Sequence, residues 1–123
     1  RGLSRSFSQK IMKVGDIIIV PFPFADSPVR KVRPAVVVGL TKDRYHDVIV
    51  CAVSSVVEVK LSENEFLIDP TRTNGLRVTS VVKVDRIATL RQSTIITTLG
   101  KLSQAELRKF KAIFRSLVGS RDA

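Results

Sequence analysis

The chain holds one cysteine, one histidine and one methionine, and only 11 acidic residues against 21 basic ones. Each shortage excludes something. Cys51 stands alone and cannot form an internal disulfide; inside the apolar run VIVCAV it reads as a small buried hydrophobe in a reducing, cytoplasmic setting. One cysteine and one histidine cannot assemble a usual zinc site, and Asp26, Asp43, Asp47, Asp69 and Asp85 show no clustered ligand spacing, so neither a metal nor a cofactor is expected. No apolar run approaches the roughly 20 residues that a membrane-spanning helix needs, and the opening RGLSRSFSQKI lacks the apolar middle of a signal peptide, so no membrane role is expected. Internal repeats and low-complexity tracts are absent as well.

The only methionine, Met12, stands directly ahead of the first strand pattern. Residues 1–11 are therefore read as vector-derived or as a disordered leader, residues 12–119 as a single domain and residues 120–123 as a tail. Setting aside Arg1, Arg5 and Lys10 takes three charges from the net +10 and leaves +7. So large a basic excess favours a polyanionic partner, of which nucleic acid is the commonest.

A chain of 123 residues with 44% hydrophobic content is long enough to bury a core. Its pattern is short strands followed by one helix. DIIIV (16–20) is a continuous buried-type run that PFPF (21–24) is expected to end, because neither proline can donate to a ladder. ADSPVRKV (25–32) reads as turn chemistry plus charge. AVVVGL (35–40) and VIVCAV (48–53), joined by the polar TKDRYHD, read as an antiparallel pair. FLID (66–69) and SVVKVDRI (80–87) flank PTRTNGLR, where Asn74-Gly75 can supply positive φ; STIITT (93–98) fits either a strand or one helical turn. The period then changes to 3.6. Ser103 and Glu106 form a capping box with Leu102 and Leu107 as its staple, and Leu107, Phe110, Ile113, Phe114, Leu117 and Val118 make one apolar stripe that Gly119 closes. Many short strands and one terminal helix predict a small, strongly curved sheet or partly open barrel.

The most pointed local feature is VRKVRPAVVVG (29–39), where three cations in five positions meet a core strand. Pro34 pushes Arg33 into extended geometry, so Arg33 is expected to project from an ordered strand entrance. Taken in order, GDIIIVPFPFADSPVRKVRPAVVVG, VIVCAVSS and GLRVTSVVKVDRIATL with the terminal helix resemble the PemK-like or MazF-like toxins of type II toxin–antitoxin systems, over roughly residues 14 to 118. The resemblance implies the family's fold, mainly β with α: a small, SH3-like, partly open five-stranded antiparallel barrel with a C-terminal helix. It further implies a homodimer, a metal-independent endoribonuclease that cleaves single-stranded mRNA, and a cognate acidic antitoxin.

Carried over position by position, the resemblance puts the family's catalytic arginine on Arg33, by its RP signature, and the catalytic threonine on Ser54 at the end of IVCAVS. Serine keeps the hydroxyl and loses the methyl that stiffens the rotamer. Asp26, Ser27, Arg30 and Lys31 in the first loop, Ser55 beside Ser54, and Arg86 are candidate substrate-binding residues. Arg86 either reaches RNA or pairs with a carboxylate; Asp85 reads as a structural anchor ahead of a substrate contact, His46 as a surface loop residue, and Phe22 and Phe24 as core rather than base-stacking faces.

The chemistry suits those residue types. RNA cuts itself when its 2′-hydroxyl attacks the adjacent phosphorus, leaving a cyclic phosphate and a 5′-hydroxyl, so neither a protein nucleophile nor a metal is obligatory. A guanidinium fork pins two phosphate oxygens and counters the charge of the pentacovalent transition state. Arginine holds its proton too firmly to be a good general base, which leaves the proton acceptor open. Two other classes compete: a CcdB-like toxin that binds a topoisomerase on a similar barrel, and a noncatalytic RNA-binding barrel or degenerate toxin.

Overall fold

The computed structural model describes residues 12–24 and 27–119, with no account of the side chains of Phe24, Ser27 and Val29. The order is β1 (Asp16–Phe24), β2 (Ser27–Leu40), β3 (Val48–Ser54), β4 (Glu65–Ile68), β5 (Ser80–Leu90), a 3-10 turn (Gln92–Thr94), β6 (Thr97–Lys101) and helix α1 (Gln104–Gly119). All pairings are antiparallel, in the spatial order β4-β5-β3-β2-β1-β6. The sheet curls into a half-barrel of six strands where five were expected, because STIITT divides into the 3-10 turn and the start of β6.

The larger correction concerns residues 21–32. PFPF does not end β1, and Ser27–Val32 is strand rather than turn: Pro21 pairs with Val32, Phe22 with Lys31 and Pro23 with Arg30. The reason is directional. The Ile19 carbonyl accepts from the Ile96 N–H at 2.8 Å, so Ile19 and the residues two and four further on turn their backbone groups toward β6. β6 pairs with β1 only over Asp16–Ile19. Pro21 and Pro23 thus lack an N–H on a side where no strand receives it, and the bonds to β2 come from the residues between them.

Successive strand residues face opposite ways, and here both faces are apolar. Ile17, Val36, Cys51, Val53, Phe66, Val82 and Phe110 form one cluster; Ile18, Val20, Ala35, Val37, Val50 and Ala52 form the other. Helix α1 closes the first. Ser103 and Glu106 cap it reciprocally, the Ser103 N–H donating to Glu106 Oε1 at 2.8 Å and the Glu106 N–H to Ser103 Oγ at 3.1 Å. Phe110 is buried and stacks on Phe114 with centroids 6.1 Å apart, a burial that contributes about 1.5–3 kcal/mol. The stripe weakens at its end, where Val118 is 74% exposed and Leu117 also lies open to solvent.

A turn closes the curl. Asn74, fully buried, accepts the N–H groups of Thr71 and Leu76 on Oδ1 and donates from Nδ2 to the Asp69 carbonyl. Gly75 takes φ +70°, and the Thr73 carbonyl accepts from the Lys101 N–H at 2.9 Å, so the segment after edge strand β4 docks on edge strand β6. Only glycine fits at 100, since a Cβ there would collide with the Thr73 carbonyl. No helix among the described residues is long and apolar enough to cross a membrane.

Candidate active site

Two breaks in the strand ladders make the site. The first is Pro34. Because Ile19 turns its backbone toward β6, its partner Pro34 turns toward β3, where a proline has no N–H to give. The β2–β3 ladder ends one residue short of it, at Ala35 and Ala52. Two residues beyond that last pair stand Arg33 on β2 and Ser54 on β3, on the face that Ala35 and Ala52 share. The second break is in β5, where Cys51 pairs with Ile87 but Ala52 with Lys83, so Val84, Asp85 and Arg86 fall out of register. Such a bulge re-aims side chains. Here it brings Asp85 and Arg86 to the same place.

The result is a cavity of about 420 Å³ lined by Arg33 and Ser54, with Lys31, Lys83, Asp85 and Arg86 around them and Phe22 and Ile87 among its apolar walls. Four cations and one carboxylate therefore face one space. Ser54 Oγ accepts from the Val56 N–H at 3.1 Å, which fixes the oxygen and leaves its proton to donate outward. Arg33 is half-buried and, among the described residues, has no carboxylate partner. Lys83 Nζ meets Glu65 Oε2 at 3.0 Å, and Glu65 is held below the ordinary carboxylate value of 4.5 by its bond from the Ser62 backbone first and by Lys83 second. Asp85 Oδ2 accepts from Asn64 Nδ2 at 3.1 Å.

The other candidates divide. Lys31 and Arg86 line this cavity; Ser55, turned the opposite way from Ser54, lines a second one of about 350 Å³ on the far side of Arg33, which borders both. Arg30 pairs with Pro23, faces away from Lys31 and lines neither. Ser27 sits in β2 opposite Phe24, and Asp26 lies outside the described residues. Phe22 is buried, as a core residue would be, while nothing is described of the Phe24 side chain. His46 occupies an exposed turn at φ 51°, its carbonyl accepting from Gln92 Nε2. Sequence reasoning missed Lys83 at the cavity and Arg77 at its neighbour, and favoured an anchoring role for Asp85 over substrate contact. Lys83 and Asp85 stand two apart in VKVDRI, but that alternation gives no sign of the bulge that brings Asp85 to the cavity. Among the described residues no three of His, Cys, Asp and Glu group as metal ligands.

The family model of the PemK-like, MazF-like toxins of type II toxin–antitoxin systems matches residues 13–118. Among solved structures, an endoribonuclease in complex with its cognate antitoxin from a mycobacterial species superposes with TM-score 0.67 at 16% identity, covering 93% of this chain and 100% of that one. MazF from Deinococcus radiodurans gives TM-score 0.66 at 21% identity, with 91% and 100% covered. The Mycobacterium tuberculosis toxin MazF-mt6 gives 0.60 at 20%, with 82% and 93% covered. At these identities the likeness is one of fold. No curated protein sequence matches.

Proposed function

The chain belongs to the PemK-like, MazF-like toxin family of type II toxin–antitoxin systems, and from that premise we propose that it is a metal-independent endoribonuclease cutting single-stranded mRNA in the cytoplasm. The observation that carries this reading is the cavity in which Arg33 and Ser54, delivered by different strands, share a space with Lys31, Lys83, Arg86 and a single carboxylate, Asp85.

In this reading the Arg33 fork grips two oxygens of the scissile phosphate, and its charge counts most when the phosphorus becomes pentacovalent. Ser54 donates its outward proton to a phosphate oxygen, held in place by the Val56 N–H. Lys31 and Arg86 carry neighbouring phosphates. The proton acceptor is Asp85: Asn64 occupies Oδ2, and Oδ1 takes the proton of the 2′-hydroxyl as that oxygen bonds to phosphorus. The bond from phosphorus to the 5′ oxygen then breaks, the 5′ oxygen takes a proton from water, and the hydroxide so formed takes back the proton held by Asp85. RNA supplies its own nucleophile, so no step calls for a metal.

The same cationic surface suits an acidic antitoxin segment that orders on binding and displaces RNA, and the family resemblance supports a homodimer as the active species. The test uses two oligonucleotides that differ only in a 2′-deoxy substitution at the cut nucleotide, with chelator present. The proposal requires the ribose form to be cut and the deoxy form to survive; cutting of both would put the nucleophile elsewhere.

A further inference from the structure

The second cavity has no part in the chemistry above. It lies across Arg33 from the first, and adjacent residues mark the rim between them: Ser54 faces one space and Ser55 the other. Its walls are apolar, with Ile19, Pro34, Leu76 and Leu99 among them, yet two guanidinium groups, Arg33 and Arg77, line it and, among the described residues, no carboxylate does.

Its polar groups differ in kind. Ser80 is buried, and its Oγ donates to the Val78 carbonyl at 3.0 Å, so what it offers the cavity is lone pairs. Arg77 offers donors only and follows directly on the turn that buried Asn74 organises and Gly75 permits, which sets the root of its side chain. Resting on the nuclease reading, we propose that this cavity receives one of the two bases flanking the scissile phosphate and that Arg77 reads it as guanine. A phosphate held at a rim one residue wide leaves its neighbouring bases on either side. An unpaired base brings flat faces to apolar walls and its edges to the polar groups. Guanine presents O6 and N7 as acceptors, the pair that an arginine fork engages, and carries N–H donors on the adjoining edge for the Ser80 oxygen. Adenine places an amino donor where guanine has O6, so it would set donor against donor at Arg77.

The test separates base selection from cleavage. Uracil tracts with 2′-deoxy sugars, carrying one guanine, one adenine or one 7-deazaguanine, are titrated with the wild-type protein and with Arg77→Gln; all-ribose versions are incubated in parallel. Wild type should prefer guanine over adenine by about tenfold or more and lose much of that preference with 7-deazaguanine, and Arg77→Gln should bring guanine and adenine level. Equal binding of all three by wild type would overturn the proposal, as would a uniform loss in Arg77→Gln with the guanine preference kept, since that marks a phosphate contact. The parent reading reports separately. Uncut ribose RNA with the guanine preference intact upholds the base pocket and removes the nuclease; cutting without base preference does the reverse.

Discussion

Arg33 and Ser54 lie on adjacent antiparallel strands, each two residues past the last ladder pair, because Pro34 has no N–H with which to extend that ladder. Pro34 thus has a mechanical role: it parts the strands and leaves two side chains facing one cavity.

Replacing Arg33 should separate charge from shape. Arg33→Ala is expected to lower the cleavage rate by about 10² to 10³, the usual loss for one electrostatic donor to a transition state. Arg33→Lys keeps the charge without the planar fork and should recover only part of the rate. Single-turnover rates at saturating protein measure both.

Ser54→Thr restores a β-branched side chain with one less rotamer freedom to lose. Its rate is expected to equal or exceed wild type, whereas Ser54→Ala should fall below it. A rate for Ser54→Thr as low as that of Ser54→Ala would show that the extra methyl does not fit where the Val56 N–H holds the oxygen.

Asp85→Asn keeps shape and the contact with Asn64 while removing the proton acceptor. Cleavage should drop by about 10² to 10⁴ with little change in RNA affinity. Were affinity to fall and the single-turnover rate to hold, Asp85 would be an anchor for the β5 bulge and nothing more.

Acid should weaken the fold through Glu65. Its carboxyl is held below 4.5 in the folded chain, chiefly by the Ser62 backbone and then by Lys83, so its contribution is present in full above that value. The contribution is lost as pH falls through the lower folded-state value, because the proton then binds and the contacts to the anion go. Thermal unfolding should show wild type losing more stability than Glu65→Gln between neutral pH and the range below 4.5.

Cys51 should be inert while the chain is folded. Burial pushes its thiol up to about 12, so almost no thiolate exists at neutral pH. A thiol-alkylating reagent is expected to leave the native protein unlabelled and to label it fully in denaturant.

What could be read from the sequence was local. The capping box, the β2–β3 hairpin and the bulk of the helix stripe depend on residues three to seventeen apart, and they stand in the structure as expected. Pro21 and Pro23 misled because a proline's cost depends on which side of the strand its nitrogen faces, and that is set by where distant β6 stops. Leu117 and Val118 kept the helical period yet found nothing to pack on. Arg33 and Ser54 were singled out by motif, but their meeting with Lys83 and Asp85 hangs on a three-residue bulge 30 residues downstream of Ser54. No periodicity encodes such a bulge. The same limit hid Arg77, which reaches its cavity through a turn ordered by Asn74.

The central claim is that RNA is cut at the Arg33–Ser54 cavity by its own 2′-hydroxyl. The most direct measurement is end-group analysis of a long single-stranded RNA incubated with chelator and either wild-type or Arg33→Ala protein. The account predicts cyclic-phosphate and 5′-hydroxyl ends with wild type and their near-absence with the variant. Equal cutting by both proteins, or 5′-phosphate ends, would contradict it.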